Sequence, residues 1–249
     1  MAAKRPAEDK ADGPRKRQRS NYSATLTILV GPEETSFTVH QDRLCSTSEF
    51  FKKACTGEWL ESKERVIRLA DVDATIFQIY VEGLYFPSSD LKEMLTDHPV
   101  DGVKEPVNLR GCKQRHVETT LQVCDLWALG DYLQDYAIQN KAMNLLEGAV
   151  GWKSFGSVRI MTWLAAHTTS TSRLAKYLRS SFVEVLLEST TVDVDAVLTA
   201  FKDGEHKLPA DVLVDLLKEV LSPTHDVPVC ATYRVHPEGT ETCAQPGAK

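Results

Sequence analysis

The residues with chemical potential come first. His40 and Cys45 lie in one short stretch, HQDRLC. In nucleophilic enzymes an imidazole near a thiol draws off its proton. The alternative is a structural histidine at a strand-to-helix junction and a cysteine that serves as a small buried hydrophobe. A second group is Cys112-x3-His116, with His98 before it and Cys124 beyond. Zinc sites usually supply two close ligand pairs, and only one is present, so no metal site is expected. Paired acids such as Asp71/Asp73 and Asp193/Asp195 read as helix caps and solvated faces. There is no glycine-rich phosphate loop, no Gly-x-Ser-x-Gly elbow and no His-Glu-x-x-His. No catalytic, cofactor-binding or metal-binding residue is assigned, and the expectation is a protein that is not an enzyme.

The third group is basic. Lys4-Arg5 and Arg15-Lys16-Arg17-Gln18-Arg19 stand at either end of KRPAEDKADGPRKRQR. Residues 1–22 carry almost no large apolar side chains and cannot bury enough surface to order themselves. The spacing looks like a bipartite nuclear import signal of the nucleoplasmin kind, in which an importin-type receptor reads two basic clusters on an extended peptide. Lys4, Arg5, Arg15, Lys16, Arg17 and Arg19 are the candidate signal residues, and the expected location is the nucleus, with the cytoplasm as a second compartment. The plainer reading is a solvated basic tail.

Charge is unevenly spread. Residues 1–20 hold seven Lys or Arg against three Asp or Glu, net +4, while the whole chain is −6, leaving −10 on the remainder. An acidic body repels the phosphate backbone that dominates nucleic-acid affinity, so no direct nucleic-acid partner is expected. No apolar run approaches a membrane span, and the charged start offers no secretory leader. The six cysteines include no Cys-x-x-Cys pair, and no disulfide is expected.

The elements that must position these groups follow from periodicity. Thr25–Val30 is rich in β-branched residues and reads as a strand, Gly31-Pro32-Glu33-Glu34 as a hairpin turn, and 36–40 as the returning strand. Ser48 is an N-cap for a helix with Phe50, Phe51, Ala54 and Cys55 on one face, ended by Gly57. Val66, Ile67 and Leu69 form a short strand. Asp73 caps a helix with an apolar stripe of Ile76, Phe77, Tyr80, Val81, Leu84 and Tyr85, stopped by Pro87. Residues 86–118 contain several prolines and glycines and read as an excursion with a short helix at about 90–95. Thr120 is expected to cap a helix to about Asp131, and Asp135 another with Ala142, Met143, Leu145 and Leu146. After Gly151 four helices are expected: one capped by Ser154 or Ser157 through His167, one after Ser172, one capped by Asp193, and one opened by Pro209-Ala210-Asp211. Residues 223–249, with four prolines, read as a disordered tail.

From Phe37 to Tyr85 the chain presents Val39-His40, Leu44, Ser48-x-Phe50-Phe51, Glu61-Ser62, Val66 to Leu69, Phe77 and Leu84-Tyr85 in order. This succession resembles the BTB/POZ domain. ALGDYLQDYAIQNKAMNLL resembles the closing helical pair of BTB domains in fungal proteins, with Gly130 as a departure. The resemblance implies an α/β (α+β) fold: a short mixed sheet with surrounding helices, followed by a helical C-terminal extension. The domains expected are a basic arm 1–22, a BTB/POZ domain 23–150 with its excursion, a helical extension 151–222 and the tail. The family places a histidine at the position of His40 in non-enzymes, which decides against the Cys45 pairing.

The resemblance also implies partners. Family members form symmetric dimers through the first strand and the short helix after Val-His, here Leu26, Ile28, Gln41 and Leu44. Many meet a cullin-type ubiquitin-ligase scaffold on the face carried here by Tyr80, Tyr85, Phe86 and Leu91, acting as substrate adaptors. A nuclear transcriptional or chromatin scaffold without a ligase link is the alternative. Members that recruit co-repressors carry Asp before the first strand and a basic residue after Val-His. Thr25 and Gln41 stand there in this chain, so a charged co-repressor pocket is not expected.

Overall fold

The computed structural model describes residues 24–56, 65–86, 91, 95, 114–148, 157–188, 194–202 and 207–221. The basic arm, Gly57, Glu61, Ser62, Pro87, His98, Cys112, Ser154, Asp193 and the tail lie outside them.

Among the described residues the sheet has three strands: β1 (Thr25–Val30), β2 (Thr35–His40) and β3 (Val66–Leu69). β1 is central, antiparallel to β2 and parallel to β3, so Ile28 faces Phe37 on one side and Ile67 on the other. The strict alternation of Leu26, Ile28 and Val30 puts those three side chains in the core. The hairpin turns at Gly31, whose φ of +73° suits glycine, and the amide of Glu34 donates to the Gly31 carbonyl at 3.1 Å.

Two short helices follow: α1 (Gln41–Thr47) and α2 (Glu49–Thr56). Between them, the Ser48 hydroxyl accepts from the Phe51 amide at 3.2 Å, capping α2, and donates to the Leu133 carbonyl at 2.6 Å. Phe51 is fully buried, while Phe50, Ala54 and Cys55 pack at the margin. α3 (Ala74–Tyr85) is capped by Asp73, whose carboxylate accepts from the Thr75 and Ile76 amides at 2.8 and 3.0 Å. Its buried face is Ile76, Phe77, Ile79, Tyr80 and Gly83, with Val81, Leu84 and Tyr85 only half-buried. The expected stripe was therefore placed partly off the core. Phe77 of α3 meets Phe37 of β2 at 5.1 Å between ring centres, and α3 also packs against the closing helices, so its apolar arc is wider than one stripe.

The excursion ends earlier than its prolines and glycines indicate. Helix α4 spans Gln114–Tyr132, and Val117 is already core. Thr120 is not a cap but lies inside α4, where its hydroxyl donates to the His116 carbonyl at 2.7 Å. Helix α5 (Tyr136–Gly148) runs back along α4. Ile138 of α5 enters two glycine notches. A Cβ on Gly83 would lie 2.7 Å from Ile138 Cδ1, and one on Gly130 would lie 2.5 Å from Ile138 Cγ2. Gly130 is thus the close approach that lets the helical pair pack.

Four further helices are α6 (Val158–His167), α7 (Arg173–Glu188), α8 (Val194–Lys202) and α9 (Ala210–Leu221). Ser157 caps α6 through the Arg159 amide and Ser172 caps α7 through the Ala175 amide. α6 is joined to α4 by Arg159–Glu118 at 2.6 Å and by the Trp163 indole donating to Asp125 at 2.7 Å. α9 packs on α7, with Leu216 buried and Ser180 donating to Glu219 at 2.9 Å. No helix among the described residues is long and apolar enough to cross a membrane.

Candidate interaction surface

The surface where α3 ends is built on a buried polar hub. Asp135, fully buried, precedes α5 and caps it: its Oδ1 accepts from the Ala137 and Ile138 amides, both at 3.1 Å. Its Oδ2 accepts from the Thr47 hydroxyl at 2.6 Å and the Tyr80 hydroxyl at 3.0 Å. One carboxylate therefore joins α1, α3 and α5. Burial and the adjacent Asp135 carboxylate push the Tyr80 hydroxyl well above its usual range, keeping it a donor.

The last turn of α3 is held from two sides. Lys141 of α5 donates to the Gly83 carbonyl and, at 3.2 Å, to the Phe86 carbonyl. A cation on the open carbonyls at a helix C-terminus is favoured by the helix dipole. Opposite, the Tyr85 hydroxyl accepts from the His40 amide at 3.2 Å and pairs with His40 Nδ1 at 2.7 Å. The Arg43 guanidinium lies 5.6 Å from the Tyr85 ring centre. Phe86 follows directly and is 45% exposed. The outcome is an exposed aromatic ring on an immobilised helix end.

The sequence-derived surfaces fare unequally against burial. Tyr80 and Leu91 are fully buried, so neither side chain is free to meet a partner; Tyr80 is turned inward to Asp135. Tyr85 is half-buried against His40, and of the four only Phe86 is exposed. For the dimer surface, Leu26, Ile28 and Leu44 are core residues, and Gln41 is half-buried. β1 is also paired on both sides, so its backbone cannot pair with a second copy, whereas β2 and β3 are the sheet's edges among the described residues. The six candidate import residues lie outside the described residues.

The cysteine and histidine readings resolve geometrically. His40 is engaged with Tyr85, while the Cys45 thiol contacts Cys55 Sγ at 3.1 Å and the Phe51 carbonyl at 3.6 Å. Burial, then the bond to Cys55, pushes the Cys45 thiol up to about 12, so it is not a nucleophilic thiolate at neutral pH. Among the described residues no cluster of three His, Cys, Asp or Glu is arranged to hold a metal.

Sequence reasoning missed one surface. α9 exposes Leu213, Val214, Leu217, Val220 and Leu221, while its inner side carries Leu216, Asp215 and Glu219. Asp215 lies 3.9 Å from Arg179 of α7. Apolar residues therefore lie on both sides of α9, with Val212 and Leu216 turned to the core.

No curated protein matches the chain. Residues 16–99 match the family model for the BTB/POZ domain, a match that covers the hairpin, α1, α2, β3 and α3 and stops short of α4. With the central β1, the Ser48 and Asp73 caps and the buried α3 in place, the chain carries a domain of the BTB/POZ family, a protein–protein interaction module.

Proposed function

We propose that this protein self-associates and docks a cullin-type ubiquitin-ligase scaffold through the end of α3, serving as a substrate adaptor. The observation that carries the docking face is Phe86. It is exposed, follows a helix end fixed by Lys141 and His40–Tyr85, and so presents an aromatic anchor at little entropic cost. Tyr80 and Leu91 support that face from within. Self-association rests on the family, and among the described residues the sheet edges are β2 and β3.

The basic clusters at Lys4-Arg5 and Arg15–Arg19 support import by an importin-type receptor and work in the nucleus. They favour, as second reading, a nuclear regulatory scaffold without a ligase link. The two readings separate in a binding assay between the purified full chain and the N-terminal region of a cullin-type scaffold. The adaptor reading expects binding by wild type and at least about tenfold weaker binding by Phe86→Ala, the loss of about 1.4 kcal/mol that an interface anchor supplies. No binding by folded wild type removes the adaptor reading and leaves the nuclear scaffold.

A further inference from the structure

A cleft of about 570 Å³ lies between the closing helical pair and the start of the extension. Trp127 and Asp131 of α4, Gln139 of α5, and the turn from His167 to Arg173 line it. Three polar atoms of these residues are buried without a hydrogen-bond partner: Trp127 Nε1, Gln139 Oε1 and Arg173 Nη1. Trp127 is 5% exposed and Gln139 1%. Native structures leave few buried polar groups unpaired, because each costs about 1–3 kcal/mol, and three on one cleft mark a place built for an occupant.

The chemistry of that occupant follows from the three atoms. The Gln139 amide is oriented by its Nε2, which donates to Asp131 Oδ1 at 3.0 Å, so Oε1 remains as an acceptor. Trp127 offers an N–H. Arg173 is the first residue of the sixteen-residue α7 and, among the described residues, makes no ion pair or hydrogen bond. Its guanidinium adds to the positive end of the α7 dipole. The residues lining the cleft thus carry a cationic fork, a neutral donor and an acceptor. Their complements are a carboxylate, a carbonyl and an N–H. A bare inorganic anion supplies nothing for Gln139 Oε1. The carboxyl end of a polypeptide carries all three groups: its terminal carboxylate, its last amide N–H and the carbonyl before it.

We propose that this cleft binds the free carboxyl terminus of a peptide. Arg173 takes the carboxylate in the geometry guanidinium groups favour. Gln139 Oε1 accepts the last amide N–H, and the Trp127 indole donates to the preceding carbonyl. Tyr136, at the rim, provides an aromatic wall for the last side chain. The site lies on α4, α5 and α7 rather than on the end of α3, so its failure and that of the cullin reading are distinguishable.

The smallest probe with all three groups is N-acetyl-L-leucine. Titrated into the ¹⁵N-labelled full chain, it is expected to give a saturable shift of the assigned Trp127 indole resonance while that of Trp163 stays in place. N-acetyl-L-leucinamide, which lacks the carboxylate, is expected to bind at least tenfold more weakly, as is the acid to Arg173→Gln. No saturable shift with the acid, equal binding of acid and amide, or an equal shift with inorganic phosphate would each overturn the proposal. Should Arg173→Gln fail to fold, the comparison of acid, amide and phosphate on wild type decides alone.

Discussion

Tyr80 and Asp135, 55 residues apart, meet at 3.0 Å in the core, hydroxyl to carboxylate. The bond joins the helix that carries the proposed docking face to the first turn of α5, and the Thr47 hydroxyl adds α1 to the same carboxylate. Asp135→Ala removes a helix cap worth about 1 kcal/mol. It also strands two hydroxyls, at about 1–3 kcal/mol for each left buried and unpaired. Tyr80→Phe leaves the carboxylate with three of its four donors and costs about 1 kcal/mol. Urea unfolding is expected to rank Asp135→Ala well below Tyr80→Phe in stability. Equal losses would mean that the hub does not act through the carboxylate.

Phe51 is fully buried and stacks near Tyr80, with ring centres 6.5 Å apart. Phe51→Ala is expected to cost about 3–5 kcal/mol, enough to unfold a marginal domain. Thermal melting checks it, and a variant that melts like wild type would contradict the packing of α2.

Gly130→Ala tests the notch that receives Ile138. Within a helix this exchange ordinarily stabilises by about 1 kcal/mol. Here the new methyl would sit 2.5 Å from Ile138 Cγ2 and 2.9 Å from Gln139 Cγ, so the sign is expected to reverse. The double variant Gly130→Ala/Ile138→Ala, which removes Cγ2, should lose less than the sum of the two single losses, measured by the shift in melting temperature.

The hairpin, the caps at Ser48, Asp73, Ser157 and Ser172, and the core role of Phe51 were legible because they rest on local rules: alternation, capping and one-face periodicity. The four helices of the extension were equally legible. What local rules do not carry is which apolar side chain meets what. Leu26, Ile28 and Leu44 were expected at a dimer surface, yet all three are buried in the core. Tyr80 was expected outside, yet its hydroxyl finds Asp135 across the fold. Gly130 read as an intrusion because its reason, Ile138, is brought near only when α5 folds back on α4. The exposed apolar face of α9 was missed because the repeat of apolar residues along a helix does not say which of them a neighbour covers.

Asp125 gives a pH dependence. Burial holds its carboxyl above the ordinary 3.8; the Trp163 indole bond and His167 oppose this, and Asp73 adds to it. The folded state therefore binds this proton more tightly than the unfolded chain. The stability it contributes is complete below 3.8 and is lost as pH rises through the folded value. Asp125→Asn keeps an acceptor for the indole and carries no charge. It is expected to melt above wild type at neutral pH, with an advantage that shrinks as pH falls toward 3.8. An advantage that grows on acidification would reverse the sign.

The proposed function rests on self-association of a chain that carries a BTB/POZ domain. Sedimentation equilibrium of the purified full chain over a wide concentration range tests it most directly. The expected result is a species of twice the 27.7 kDa chain mass. A single species at 27.7 kDa throughout that range would contradict it.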